Sequence, residues 1–272
     1  MNQRNIGVSV PVRAVSPSHS HPRNHIGSHF SVLVTRTTSQ PRPGSDDITR
    51  AFSDAWIGKD GYLRADGRRQ KKAIAFQGHV LSKSGEALSE VFVVDLPEDV
   101  TKPSETGPLE GTRQQRPQPP AGTKQRRLTF TADRKHPGIQ GARHWLRSSP
   151  DGSKIAFLMK SGDGISQLWI VSPNGGEAKQ LTNNSQPIGS AFSWSPDGNM
   201  IAHAMNGSVC VTLTKTGETI QLTENDRWPV RPEACVFSPD GSKITYVRHV
   251  SNKEQSWNQV FVVDVQAALA KR

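Results

Sequence analysis

Histidine and arginine crowd a few short polar segments of this sequence. His19, His21 and His25 fall within residues 11–28, with His29 just beyond; Arg134, His136 and Arg143 fall within 131–143, followed by His144. Asn183, Asn184 and Gln186 occupy 183–190, and Asp226, Arg227, Trp228 and Arg231 occupy 224–233. His249 stands in the stretch RHVSNKEQSW at 248–257. Imidazole is a common ligand of zinc, manganese and nickel. The guanidinium fork matches carboxylate and phosphate groups. Two readings stay open: histidines that are solvated or bonded to nearby backbone, and a site for a divalent metal or an anion. No spacing among these residues selects a ligand set.

Other chemistries lack their signatures. There is no G-x-S-x-G elbow, no P-loop and no G-x-G-x-x-G, so no catalytic residues are assigned. Cys210 and Cys235 are the two cysteines, each in an apolar run (SVCVTL and ACVF), which favours buried free thiols over a disulfide. The net charge of +10 favours polyanions in general. Its small concentrations at KQRR (124–127) and GRRQKK (67–72) are not interleaved with stacking aromatics, so they read as solvated surface rather than a nucleic-acid site. No run of about 18 apolar residues predicts a membrane span. The start, MNQRNIGVSVPV, carries no long apolar stretch of a secretory signal, so the expected compartment is the cytoplasm ahead of the periplasm.

The elements that position these residues are marked by a turn. SPDG occurs at Ser149–Gly152, Ser195–Gly198 and Ser238–Gly241. In each, proline (Pro150, Pro196, Pro239) presets φ, aspartate (Asp151, Asp197, Asp240) bonds nearby amides and glycine (Gly152, Gly198, Gly241) accepts φ > 0. These nine residues are read as structural. Three copies so nearly evenly spaced indicate a repeated unit. After each turn comes an apolar run (KIAFLM, MIAHAM, KITYV), then a second (QLWIVSP, SVCVTL, QVFVVDV), then a short QLT at 180–182 and 221–223; before each turn stands HWLR, AFSW or ACVF. That is four short strands per unit. Several runs are continuously apolar, which suits sheets covered on both faces. The expected fold is all-β: a β-propeller of four-stranded antiparallel blades, about four of them, part of a larger ring for which seven blades is one reading. A two-sheet sandwich is the runner-up.

Units are expected at 143–182, 190–223 and 233–266, the last lacking its outer strand, with a degenerate unit at 29–130. The degenerate unit uses HFSVLV (29–34) as first strand, KAIAFQGHV (72–80) as second, EVFVVDL (90–96) as third and RRLTF (126–130) as fourth. Residues 4–10 read as the outer strand of a preceding blade. Ile48, Ala51, Phe52, Ala55 and Trp56 fall on one face of a helix, predicted over 45–57 behind a Ser45 cap. Residues 97–124, with six prolines, read as a disordered loop. In such a topology the segments joining one blade to the next emerge at one end of the ring, with the SPDG turns at the other.

The runs SPDG, KIAFLM, QLWIVSPNGGEAKQLT and FSWSPDG resemble the propeller repeats of TolB, shared by prolyl oligopeptidase-type peptidases and oligogalacturonate lyases. RNIGVSVPV, HPRNHIGSHFSVLVTRTT, PGSDDITRAF, QRRLTF and RHWLR resemble the C-terminal part of bacterial YidR-like proteins, often described as biopolymer transporter Tol. That resemblance implies a fold and further blades before residue 1, and no activity. The lyase resemblance implies a divalent metal near the channel, for which His29, His136, His144 and Gln186 are the candidates; no other cofactor is expected. The expected function is a non-catalytic binding scaffold for a protein or an anionic ligand. Its channel-mouth face comprises His25, His29, Arg134, His136, Arg143, His144, Gln186, Asp226, Arg227, Trp228 and Arg231. The alternative is a metal-dependent enzyme acting on acidic oligosaccharides.

Overall fold

The computed structural model describes residues 4–14, 27–111 and 114–271, with the side chains of Ala14 and His144 outside the description. The chain is built almost wholly of antiparallel strands. β1 (Gly7–Pro11) pairs with β2 (His29–Leu33). β3 (Ala51–Trp56) leads into a small hairpin, β4 (Tyr62–Leu63) and β5 (Arg69–Gln70), and then into β6 (Ala73–Leu81), β7 (Ala87–Asp95) and β8 (Lys124–Arg127); β3, β6, β7 and β8 make one sheet in that order. β9 (Leu146–Ser148), β10 (Ile155–Lys160), β11 (Ser166–Val171) and β12 (Lys179–Gln180) make the next. β13 (Ser193–Trp194), β14 (Met200–Met205), β15 (Ser208–Leu213) and β16 (Thr219–Gln221) make a third. A three-stranded sheet of β17 (Val236–Phe237), β18 (Lys243–Ser251) and β19 (Ser256–Asp264) follows, and a short helix α1 (Val265–Leu269) closes the chain.

The first strands stand side by side: β3 against β9, β9 against β13, β13 against β17. The sheets therefore radiate from a common axis, and apolar cores fill the spaces between them, one around Phe157 and Val93 and another around Phe237 and Val211. Middle strands such as Ile155–Lys160 are covered on both faces, which is why they read as unbroken apolar runs. This is a β-propeller, seen as an arc of blades.

One repeated contact identifies each outer strand. The threonine ending each QLT-type run accepts, through Oγ1, a backbone N–H of the third strand: Thr129 from Val91 at 2.9 Å, Thr182 from Leu168 at 3.0 Å and Thr223 from Val209 at 3.0 Å. The residue before it donates its own N–H to the same third-strand residue: Leu128 to Val91, Leu181 to Leu168 and Leu222 to Val209, each at 2.8 Å. Thr35 and Val34 make the same pair of bonds to Ile6, both at 2.9 Å. β1 and β2 thus occupy third- and fourth-strand positions. Residues 29–34 do not form the first strand of the following sheet, and 4–10 is not an outermost strand; β3 takes the first-strand place and β2 lies outside β1.

Two insertions also differ from expectation. Residues 51–56 are a strand, not part of a helix over 45–57. A bulge between Phe52 and Ala55, with Ser53 at φ 53°, inserts one extra residue into β3. The bulge breaks the period-2 alternation and leaves apolar pairs at 51/52 and 55/56, which imitate helical spacing. The described residues of the proline-rich segment 97–124 are compact rather than disordered. Gln118 N–H donates to Pro108 O and Ala121 N–H to Lys102 O, both at 2.9 Å. Val100 and Leu109 are buried in the core beside β1, β2 and β6. Its prolines reduce the entropy lost on ordering.

Candidate functional site

Alternating strand direction puts the SPDG turns at one end of the blades and the joining segments at the other. At the turn end the three motifs share one set of bonds. In the second, Gly198 N–H donates to Ser195 O, Asn199 N–H to Asp197 Oδ1 and Met200 N–H to Ser195 Oγ, at 2.9, 3.0 and 2.9 Å. The three glycines have φ of 76°, 75° and 75°. Pro150 seats against Gly198 and Pro196 against Gly241, so successive turns touch. The serine hydroxyls and aspartate carboxylates of all three motifs are engaged by the turns themselves.

The joining end is different in kind. Glu233, from the segment before β17, accepts from Arg143 Nη2 at 2.7 Å and from Arg231 Nε at 3.0 Å. Arg143 belongs to the segment before β9, so one carboxylate ties the joining segments of two blades together. Hydrogen bonding to Arg231 holds the Glu233 carboxyl below its usual range, and the charges of Arg231 and Arg143 add to this. Arg143 itself has φ 64°, a left-handed conformation that is uncommon outside glycine. Its guanidinium stays half exposed. Arg227 lies over the Trp228 ring, 3.8 Å from its centroid, and both it and Asp226 are exposed.

Beneath this loop lies Arg248, which the expected channel-mouth face does not include. Arg248 is buried and donates to Trp228 O at 2.8 Å and to Glu224 O at 3.3 Å, with Asp226 Oδ2 at 3.3 Å. The signal was available: β18 alternates, and Arg248 falls in phase with Ile244, Tyr246 and Val250, the inward set. His249, one step out of phase, is exposed and bonds Asn258 at 3.1 Å.

Arg134 stacks over Trp169 at 4.4 Å and donates to Lys160 O at 3.0 Å. His136 sits against Gly164 in the turn between β10 and β11. Gln186 is exposed in the segment before β13. His29 is elsewhere. It pairs with Pro11 at the far end of the β1–β2 hairpin, the end that shares a cleft with Trp56, Leu96 and Val100 near the turns. Because β1 is a third strand, the segment after it leads to the turn end, so His29 and His136 lie at opposite ends of the blades. His25 lies outside the described residues, as does the His144 side chain. Among the described residues no three His, Cys, Asp or Glu side chains gather as a metal site. His203 is fully buried in β14, bonded to Thr212 at 2.9 Å, and burial pushes its pKa down to about 4. Cys210 and Cys235 are buried free thiols, and burial pushes Cys235 up to about 12.

Fold and repeat together define the class: a β-propeller of four-stranded antiparallel blades. No family model matches the chain. It is a homologue of the Escherichia coli (strain K12) protein described as "Uncharacterized protein YidR", 42% identical over 250 residues, which are 91% of this chain and 57% of that protein. The chain thus spans little more than half the length of that relative. A stretch of 103 residues, 36% of this chain and 14% of the relative, is 36% identical to "Uncharacterized peptidase YuxL" of Bacillus subtilis (strain 168). Among solved structures, TolB from Acinetobacter baumannii superposes with a TM-score of 0.44 and 18% identity, over 76% of this chain and 43% of that one. No helix among the described residues is long and apolar enough to cross a membrane.

Proposed function

We propose that this chain is a non-catalytic TolB-like propeller scaffold that binds an anionic ligand, in a protein or a small molecule, at its joining end. The observation that carries this reading is the convergence of Arg143 and Arg231, from different blades, on one carboxylate. A guanidinium has five donors, and Glu233 uses one from Arg143 and two from Arg231. A second carboxylate or a phosphate has the remaining donors, together with Arg227 stacked on Trp228 and Arg134 stacked on Trp169. Loops held by a rigid ring are where recognition is commonly placed.

Calorimetric titration with acidic peptides and with uronate oligomers tests this reading. Binding is expected to weaken with added salt, and Arg143→Ala combined with Arg231→Ala is expected to weaken it about tenfold or more. A ligand that maps to the SPDG end would sink the proposal. The metal-dependent enzyme is the competing outcome: stoichiometric divalent metal in pure protein, lost in His136→Ala with His144→Ala, together with cleavage of uronate oligomers, would establish it instead.

A further inference from the structure

The sheet of β17, β18 and β19 ends on a third strand whose outer edge has no fourth strand among the described residues. Val260 and Val262 are 63% and 58% exposed. The register shows what is missing. Val260 faces Val247 of β18 as Val91 faces Gln77, Leu168 faces Leu158 and Val209 faces Ala204 in the complete sheets. Those three counterparts are buried against the blade that follows each, so the exposed valines mark a face of the sheet; at the edge, each counterpart gives its N–H to the hydroxyl of an outer-strand threonine. Gln259 occupies the place of Glu90 and Gln167. Those side chains accept a hydrogen bond from the same threonine hydroxyl, at 2.6 Å in the Thr182–Gln167 pair. A cleft lined by Leu222, Thr223, Val262, Asp264, Ala267 and Ala268 runs beside the open strand.

We propose that the β19 edge binds an extended peptide segment of the pattern Gln/Arg-Leu-Thr, running antiparallel to β19. Its threonine hydroxyl takes the Val260 N–H and bonds the Gln259 side chain, and its leucine N–H goes to the Val260 carbonyl. Strand addition of this kind draws affinity from main-chain bonds and specificity from side-chain positions. The occupant is read from the chain itself: three sheets show the same outer strand making the same bonds to the same third-strand positions. A second copy pairing β19 with β19 does not fit, because Ser256–Asp264 contains no threonine to meet Val260. This inference is independent of the anion-binding reading, which concerns the joining end.

The probe is a fluorescein-labelled peptide of residues 218–225, ETIQLTEN, titrated with the 272-residue chain and followed by fluorescence anisotropy. Saturable binding is expected. The Thr223→Val form of the peptide is expected to bind about tenfold more weakly, since it leaves the Val260 N–H unmet. Val260→Pro removes that N–H on an edge strand, where proline is tolerated, and is expected to abolish binding with the circular dichroism unchanged. Gln259→Ala keeps the backbone and is expected to lose about fivefold, so it and the valine peptide decide the matter if Val260→Pro does not fold. Absence of saturable binding, or equal affinity for the threonine and valine peptides, would overturn the proposal. So would a concentration-dependent dimer broken by Val262→Glu in a chain that ignores the peptide.

Discussion

Carboxylates do two jobs in this protein. Glu233 gathers arginines at the joining end, whereas the turn aspartates hold backbone. Ser238 Oγ donates to Asp240 Oδ1 and Ser242 N–H adds a bond at 3.0 Å. These bonds hold Asp240 down to about 2, the serine hydrogen bond being the larger cause. Asp197 is lowered likewise, chiefly by Ser195. Asp151 is lowered although burial works against it, because Ser149 and Ser153 together outweigh burial. A carboxylate whose folded pKa is depressed contributes stability that is present above its unfolded pKa and lost as pH falls through the folded value. The window here runs from about pH 4 down to about 2. Chemical denaturation of the wild type and of the combined Asp151→Asn, Asp197→Asn and Asp240→Asn variant, measured across that range, is expected to show a stability gap that closes as pH falls. A gap independent of pH would mean that charge is not what these aspartates supply.

At the scale of elements, the three turns are alike in sequence and unlike in surroundings. A Cβ at Gly152 would lie 2.0 Å from the carbonyl oxygen of Gly61, whereas at Gly198 the nearest atom is Pro150 Cδ at 3.6 Å. Both glycines have positive φ. Gly198→Ala is therefore expected to cost only the conformational penalty, about 1 kcal/mol. Gly152→Ala, which also requires backbone to move, is expected to cost on the order of 3 kcal/mol or more. Thermal or denaturant midpoints of the two variants check the ranking, and equal losses would contradict it. The difference comes from the first complete blade. Its counterpart of the SPDG turn is the insertion holding β4 and β5, which lies against the next turn, with Lys59 N–H donating to Pro150 O at 2.9 Å.

At the scale of the whole molecule, the blades that begin with β9 and β13 are locked to each other by reciprocal bonds near the axis. Trp145 Nε1 donates to Phe192 O at 2.8 Å, and Trp194 Nε1 donates back to Arg147 O at 3.1 Å. Both tryptophans also pack on the same apolar cluster. Replacing either by phenylalanine keeps most of the packing and removes the N–H, so Trp145→Phe and Trp194→Phe are each expected to cost about 1 kcal/mol in equilibrium unfolding. Losses near zero would show that the indole N–H groups do not hold the blades together.

The β-propeller was legible in the sequence because its signals are local. A turn needs proline, aspartate and glycine in adjacent places, and a strand covered on both faces needs a run of apolar residues, so SPDG, KIAFLM and QLT announce themselves. What only the tertiary structure decided depends on which strand pairs with which. HFSVLV reads as a strand whatever its partner, and nothing in those six residues says that it pairs with Gly7–Pro11 rather than with Ala73–Leu81. That pairing moves His29 to the turn end and separates it from His136. The bulge in β3 hid a strand behind helical spacing, and the core contacts of Val100 and Leu109 ordered a segment whose composition argued for disorder. The meeting of Arg143 and Arg231 at Glu233 joins residues about 90 positions apart, and no periodicity along the chain encodes a contact made between blades.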